Sequence, residues 1–139
     1  MNGRSIVLAS YVTLGVFVVT IVPDAAGVHA FGGPASIMAL GLFLVSLPIW
    51  IYAFGLAVVR SARGDDVTVP NLFFLSGSAP NDVRRPLLAV VGLSIVVAGA
   101  TAWANAFSVL EPMLPLALLP LWGARHGTFP ARPTTVMSR

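Results

Sequence analysis

Long apolar runs separated by short polar stretches dominate the chain. Residues 6–22, 35–59 and 87–107 carry no charged side chain, and each run is long enough for a helix that crosses a bilayer core of about 30 Å. Residues 108–124 form a weaker fourth run that contains Glu111 and three prolines. The pattern predicts one all-α membrane domain over residues 1–139. This domain would be a four-transmembrane-helix bundle whose last helix is short and broken by proline.

The first and last runs each leave an alternative open. Residues 6–22 follow Arg4 and precede small residues at 28–30, so a cleaved signal peptide is possible, although the run exceeds the usual apolar core of about 7–15 residues. Residues 108–124 would instead form a re-entrant loop if they did not cross. A re-entrant loop would move the tail arginines to the other side of the membrane, which the positive-inside tendency disfavours.

The basic residues predict an orientation. All eight are arginines, and they lie at the amino terminus, in the loop 60–86 and in the tail 125–139, whereas the two other connections hold none. Because basic loops stay in the cytoplasm, both termini and the loop are predicted to be cytoplasmic. The use of arginine without lysine indicates a GC-rich bacterial genome and hence a bacterial inner membrane. The tail 125–139 is predicted to be disordered and attracted to anionic lipid.

The loop 60–86 contains an apolar island at residues 67–75 that is too short to cross a membrane. The island contains a proline and ends in a Leu-Phe-Phe-Leu run. It is predicted to lie on the membrane interface or to pack under the helices. The alternative is a segment that docks a partner protein, because an exposed apolar run would otherwise be left uncovered.

Composition excludes several kinds of chemistry. The chain has no cysteine, which excludes disulfides, thiol catalysis and thiolate metal sites. Its basic residues are scattered at run ends rather than clustered with aromatic residues, so no nucleic-acid partner is expected. It has no nucleophile elbow, no phosphate-binding glycine loop and no paired carboxylates. We therefore expect no enzymatic activity and no cofactor.

Three ionisable side chains are predicted on the outer side: Asp24, His29 and Glu111. They are weak candidates for ligand binding. They lie in separate connections without the spacing of metal ligands, so solvated loop residues are the simpler interpretation and no metal site is predicted. No ionisable side chain is expected inside the bilayer, which argues against a proton-coupled transporter.

Small residues recur at four-residue spacing in residues 87–107 and predict a helix-packing face. The face consists of Ser94, Ala98, Ala102 and Ala106, and small side chains of this kind let two helix backbones approach closely in a membrane. The helix that packs there belongs either to the same chain, which is the simpler case, or to a second molecule.

The carboxyl-terminal third carries a resemblance to a group of known proteins. It rests on residues 101–107, 113–116 and 121–130, which read TAWANAF, MLPL and LWGARHGTFP. This part resembles uncharacterised small multi-pass integral membrane proteins of actinobacteria. The resemblance implies a membrane location and no known activity.

Together these features predict a non-enzymatic accessory or scaffolding subunit of a membrane complex. Its partners would be the lipid bilayer and another membrane protein or a second copy of the chain. The alternative is a small channel or transporter for a neutral or apolar solute, because proline-broken helices can expose backbone carbonyls to a pore.

Overall fold

The computed structural model describes residues 2–134. In this part of the chain α1 spans Gly3–Ala25, α2 Gly32–Ala62, α3 Val69–Phe73, α4 Asn81–Thr101 and α5 Met113–His126, with 3₁₀ helices at His29–Phe31 and Ala106–Leu110. The described residues form no β-strand. Four helical segments are long and apolar enough to cross a membrane, namely Gly3–Ala25, His29–Ala62, Asn81–Thr101 and Ala106–His126. The predicted all-α fold with four potential spans is confirmed.

The end of α4 differs from the prediction, and Asn105 explains why. The apolar run continues to residue 107, but the helix stops at Thr101. Asn105 has an extended backbone (φ −145°, ψ 106°), and its side chain accepts a hydrogen bond from the Phe107 backbone nitrogen. A side chain that bonds a nearby backbone group in this way competes with the helix. Ala106 consequently lies in the following 3₁₀ helix and not on α4.

The two ends of the bundle are chemically different. At one end, Gly3 of α1 lies against Trp122 of α5, and the Arg60 side chain donates to the carbonyls of Ala124 and Gly127. We call this the arginine end. Helix directions and contacts place all the arginines of residues 2–134 there: Arg4, Arg60, Arg63, Arg84, Arg85, Arg125 and Arg132.

At the opposite end, the side-chain amide of Asn105 bonds to two helices. Nδ2 of Asn105 donates to Asp24 Oδ2 at 3.1 Å, to Ser36 Oγ at 2.9 Å and to the Gly32 carbonyl at 3.3 Å. These bonds connect α1, α2 and the second 3₁₀ helix, and we call this region the asparagine end.

The fourth long segment, Ala106–His126, which contains α5, is the most enclosed of the four. In an apolar stretch of 18 residues within this segment 67% of the residues are buried, compared with 17–28% in such stretches of the other three segments. Its leucines and Trp122 pack with Ile6, Leu75 and Leu87 in the main core. The other long helices therefore surround α5 and present most of their apolar surface outward, where a membrane would supply lipid.

The apolar island contains the short helix α3. Leu72 is 5% exposed and Leu75 0%, whereas Val69 and Phe74 are 62% and 55% exposed. The island thus packs under the helices on one side, as one of the predicted alternatives has it, and leaves apolar side chains uncovered on the other.

The beginning of the tail, for which the sequence predicts disorder, makes backbone hydrogen bonds to the loop after α2. Residues 127–132, which we call the strap, run across the loop after α2. The backbone nitrogen of Asp66 donates to the Pro130 carbonyl at 2.8 Å, and that of Arg132 to the Gly64 carbonyl at 2.7 Å. Backbone hydrogen bonds need no apolar periodicity, which is why the sequence pattern did not reveal them. The rest of the predicted tail, residues 135–139, lies outside the described residues.

Candidate functional site

An apolar cavity of about 400 Å³ lies between α1, α2 and α5. Ala9 and Thr13 contribute from α1, Val45 and Tyr52 from α2, and Leu118 from α5. The Thr13 hydroxyl donates to the Ala9 carbonyl at 2.7 Å, so it offers no free donor to a ligand. Val45 and Tyr52 are half exposed, so the cavity opens to the outside of the bundle.

A second cavity, of about 500 Å³, adjoins the first at the arginine end. The two share Tyr52 and Arg125, and the second is also lined by Arg60 and Arg63. Because they share these residues, we consider the two cavities as one site with an apolar body and a cationic mouth, and we call it the amphiphile site.

Arg60 is fixed in the wall of this mouth. Its Nε donates to Asp65 Oδ2 at 2.7 Å, and its Nη1 donates to the Gly127 carbonyl at 2.7 Å and to the Ala124 carbonyl at 3.2 Å. The guanidinium carbon also lies 4.5 Å from the centre of the Phe129 ring. The cation thereby satisfies carbonyls at the carboxyl end of α5, where the helix dipole favours positive charge.

Arg63 and Arg125 are the uncommitted cations of the mouth. Both are exposed, and within residues 2–134 neither side chain makes an ion pair or a hydrogen bond. A guanidinium group offers parallel donors that match the oxygens of a phosphate or a carboxylate. The mouth is therefore suited to an anionic group, and the cavity beneath it to an apolar chain or ring.

The predicted outer trio is not brought together. Asp24 is bound by Asn105 at the asparagine end, His29 is exposed, and Glu111 is buried in the bundle. Residues 2–134 contain no group of three or more histidine, aspartate and glutamate side chains that could hold a metal ion.

Glu111 is the main correction to the sequence analysis. The sequence predicts a solvated outer connection for it, but it is 0% exposed, and neither carboxylate oxygen has a hydrogen-bond partner within residues 2–134. The 3₁₀ helix before it turns into the bundle, where the Ser108 hydroxyl donates to the Ala98 carbonyl at 3.1 Å. The expectation that no ionisable side chain lies among the membrane helices is wrong.

The predicted packing face is divided. Ser94 and Ala98 are buried, and Ala98 packs with Phe17 and Ile21 of α1. Ala102 is partly buried and Ala106 is exposed. Ser94 and Ala98 thus pack within the chain, which is the simpler of the two predicted cases.

Sequence reasoning missed the amphiphile site because its residues had another explanation. In the sequence, Arg63 and Arg125 are fully explained as orientation signals. The available signal was that Tyr52 precedes Arg60 by eight residues, about two helical turns, on one face of α2.

No protein family, curated protein or solved structure matches the chain.

Proposed function

We propose that the chain is a non-enzymatic accessory protein of a membrane complex and that it binds an anionic amphiphile of the phospholipid type. The supporting observation is that the apolar cavity and the arginine-lined cavity share Tyr52 and Arg125, so one ligand would occupy both. The volume of each cavity falls within the range of about 300–1,000 Å³ typical of small-molecule sites.

The two halves of the site favour an amphiphile over simpler ligands. A free phosphate would use Arg63 and Arg125 but leave the apolar cavity empty, and a neutral solute would fill the cavity but not use the arginines. A phospholipid supplies both an acyl chain and a phosphate. The half-exposed Val45 and Tyr52 provide an entrance from the side, which is the direction from which a lipid arrives.

The proposed orientation follows from the arginine end. We propose that this end and both termini are cytoplasmic, in a bacterial inner membrane, and that Ala106–His126 crosses as a short helix broken by proline. The clustering of arginines supports this orientation through the positive-inside tendency. Anionic lipids of the cytoplasmic leaflet attract each nearby arginine by about 1 kcal/mol. We also propose that the chain is related to the small actinobacterial membrane proteins that its carboxyl-terminal third resembles.

Lipid-dependent thermal unfolding of the purified chain in a neutral detergent tests the function. Phosphatidylglycerol should raise the unfolding temperature, because a ligand that binds only the folded state stabilises it. Phosphatidylcholine of the same chain length and inorganic phosphate should have much smaller effects. The double variant Arg63→Gln/Arg125→Gln should lose the response to phosphatidylglycerol.

Arg85→Gln is the matched control for this experiment. Arg85 is exposed at the arginine end and lines neither cavity, so its removal changes net charge without altering the site. Equal stabilisation by the two lipids, or equal loss of response in the control, would contradict lipid recognition by the amphiphile site.

The second candidate function is a small channel or transporter for a neutral or apolar solute. It is favoured by the apolar cavity between α1, α2 and α5. Solute flux into liposomes that contain the purified chain tests it, and absence of flux above protein-free liposomes would rule it out.

A scaffolding role would use other surfaces than the predicted packing face, because Ser94 and Ala98 are covered within the chain. Recovery of a stoichiometric membrane-protein partner, or of a homo-oligomer, from native nanodiscs would support this role, and a clean monomer would contradict it.

A further inference from the structure

The carboxyl group of Glu111 lies inside the bundle, and no side chain of residues 2–134 forms an ion pair with it. The Ser94 hydroxyl faces it, but within residues 2–134 neither Ser94 Oγ nor either carboxylate oxygen has a hydrogen-bond partner of ordinary geometry. Ser94 precedes the end of α4 at Thr101 by seven residues, which is about 10 Å along a helix. Glu111 therefore lies well below the asparagine end, among helices that face lipid.

An isolated carboxylate in such surroundings is costly and needs a positive partner. Asp24 and His29 lie at the asparagine end, whereas His126 at the end of α5 and the arginines of residues 2–134 lie at the other end. Tyr11 on α1 and Tyr52 on α2 are half exposed, and α4 contributes Ser94. The described chain thus supplies a hydroxyl but no cation beside Glu111. The negative charge of its carboxylate must therefore be neutralised by a species other than these side chains.

The segment that leads from the asparagine end to Glu111 carries buried polar side chains. Asn105 binds Asp24 there. Ser108 is next along the 3₁₀ helix and is 0% exposed. The backbone nitrogen of Glu111 in turn donates to the Ser108 carbonyl at 3.3 Å, so Ser108 and Glu111 occupy successive turns. Asn105, Ser108 and Glu111 therefore follow one another along the segment that leads from the asparagine end into the bundle, and all three are buried.

We propose that Glu111 and Ser94 form an intramembrane proton-binding site that exchanges its proton with water at the asparagine end. A proton taken from water forms an O–H bond with one Glu111 oxygen, and the neutral acid can donate to Ser94 Oγ. Release breaks that bond and returns the proton to water. A metal ion fits less well, because one carboxyl and one hydroxyl are too few ligands. This inference does not depend on lipid binding.

Labelling with dicyclohexylcarbodiimide tests the proposal. This apolar reagent adds to protonated carboxyl groups in apolar surroundings, and mass spectrometry of the full-length chain in detergent identifies the modified residue. Glu111 should be labelled preferentially over the exposed Asp82. Its labelling should fall several-fold as pH is raised, and it should not change between sodium and choline chloride at fixed pH.

Two variants and two contrary results define the outcome. Glu111→Gln should abolish labelling at this position, whereas Asp82→Asn, the matched loss of an exposed acid, should leave it unchanged. An unlabelled Glu111 at every pH would overturn the proposal. Protection by sodium at fixed pH would replace the proton with a metal cation.

Discussion

Gly123 sets how closely α3 approaches α5. A Cβ added there would lie 3.0 Å from the Leu72 carbonyl oxygen and 3.1 Å from Leu75 Cδ2. The backbone oxygen cannot move aside as the end of a flexible side chain can. We therefore expect Gly123→Ala to reduce the free energy of unfolding by about 1–3 kcal/mol, the usual effect of overpacking. Tryptophan fluorescence during denaturation in mild detergent measures the change.

Gly99→Ala is the control for Gly123→Ala. Gly99 also lies in a long helix, but a Cβ there meets no atom within 4 Å. Its replacement should cost nothing and can add up to about 1 kcal/mol through helix propensity. Similar losses in the two variants would show that the close approach of α3 is not the cause.

Residue identity predicted the position of Asp24 but not that of Glu111. Asp24 lies in the last turn of α1 beside the first connection, where Asn105 binds it, whereas Glu111 lies inside the bundle. The burial of Glu111 depends on the path of residues 105–110 before it, in which the 3₁₀ helix turns inward and Ser108 bonds the Ala98 carbonyl. That path is set by tertiary contacts, and a hydropathy pattern contains no information about them.

At the scale of elements, Arg60 ties the end of α2 to the strap. Its side chain bonds the Gly127 carbonyl, the Ala124 carbonyl and Asp65. We expect Arg60→Gln to accelerate hydrogen exchange at the amides of Asp66 and Arg132 by about tenfold, as loss of a charged hydrogen bond worth about 1.5 kcal/mol implies. Exchange followed by mass spectrometry measures the effect.

Arg85→Gln provides the charge-matched comparison for the strap. Arg85 is exposed and lies on α4, away from the strap. Exchange at Asp66 and Arg132 should stay at the wild-type rate in this variant. A strap that exchanges equally fast in both variants would mean that net charge, and not the contacts of Arg60, controls it.

The four long segments were predictable because membrane crossing depends mainly on length and apolarity. Their ends were not. α4 begins at Asn81, before the apolar run, because the charged first turn continues directly into the helix, and it stops early because of Asn105. The amphiphile site combines residues from α1, α2 and α5, and no local pattern in the sequence links such distant positions.

At the scale of the whole molecule, the two chemically different ends make the orientation testable. The chain has no cysteine, so each introduced cysteine is its only thiol. Ser76 and Thr134 are exposed at the arginine end, and Ala26 is exposed near the asparagine end. Ser78 is unsuitable, because it is buried and donates to the Asn71 carbonyl, so a cysteine there would be shielded in either orientation.

If the arginine end is cytoplasmic, a membrane-impermeant maleimide should label Ala26→Cys in intact cells but neither Ser76→Cys nor Thr134→Cys. All three should react after the cells are permeabilised, which shows that each thiol is reachable. Labelling of positions 76 and 134 without position 26 would mean the opposite orientation. Labelling of position 134 but not of position 76 would mean that the tail and the loop 60–86 lie on opposite sides of the membrane. That result would be incompatible with the hydrogen bonds from Arg60 to Ala124 and Gly127, and it would replace the fourth crossing by a re-entrant loop.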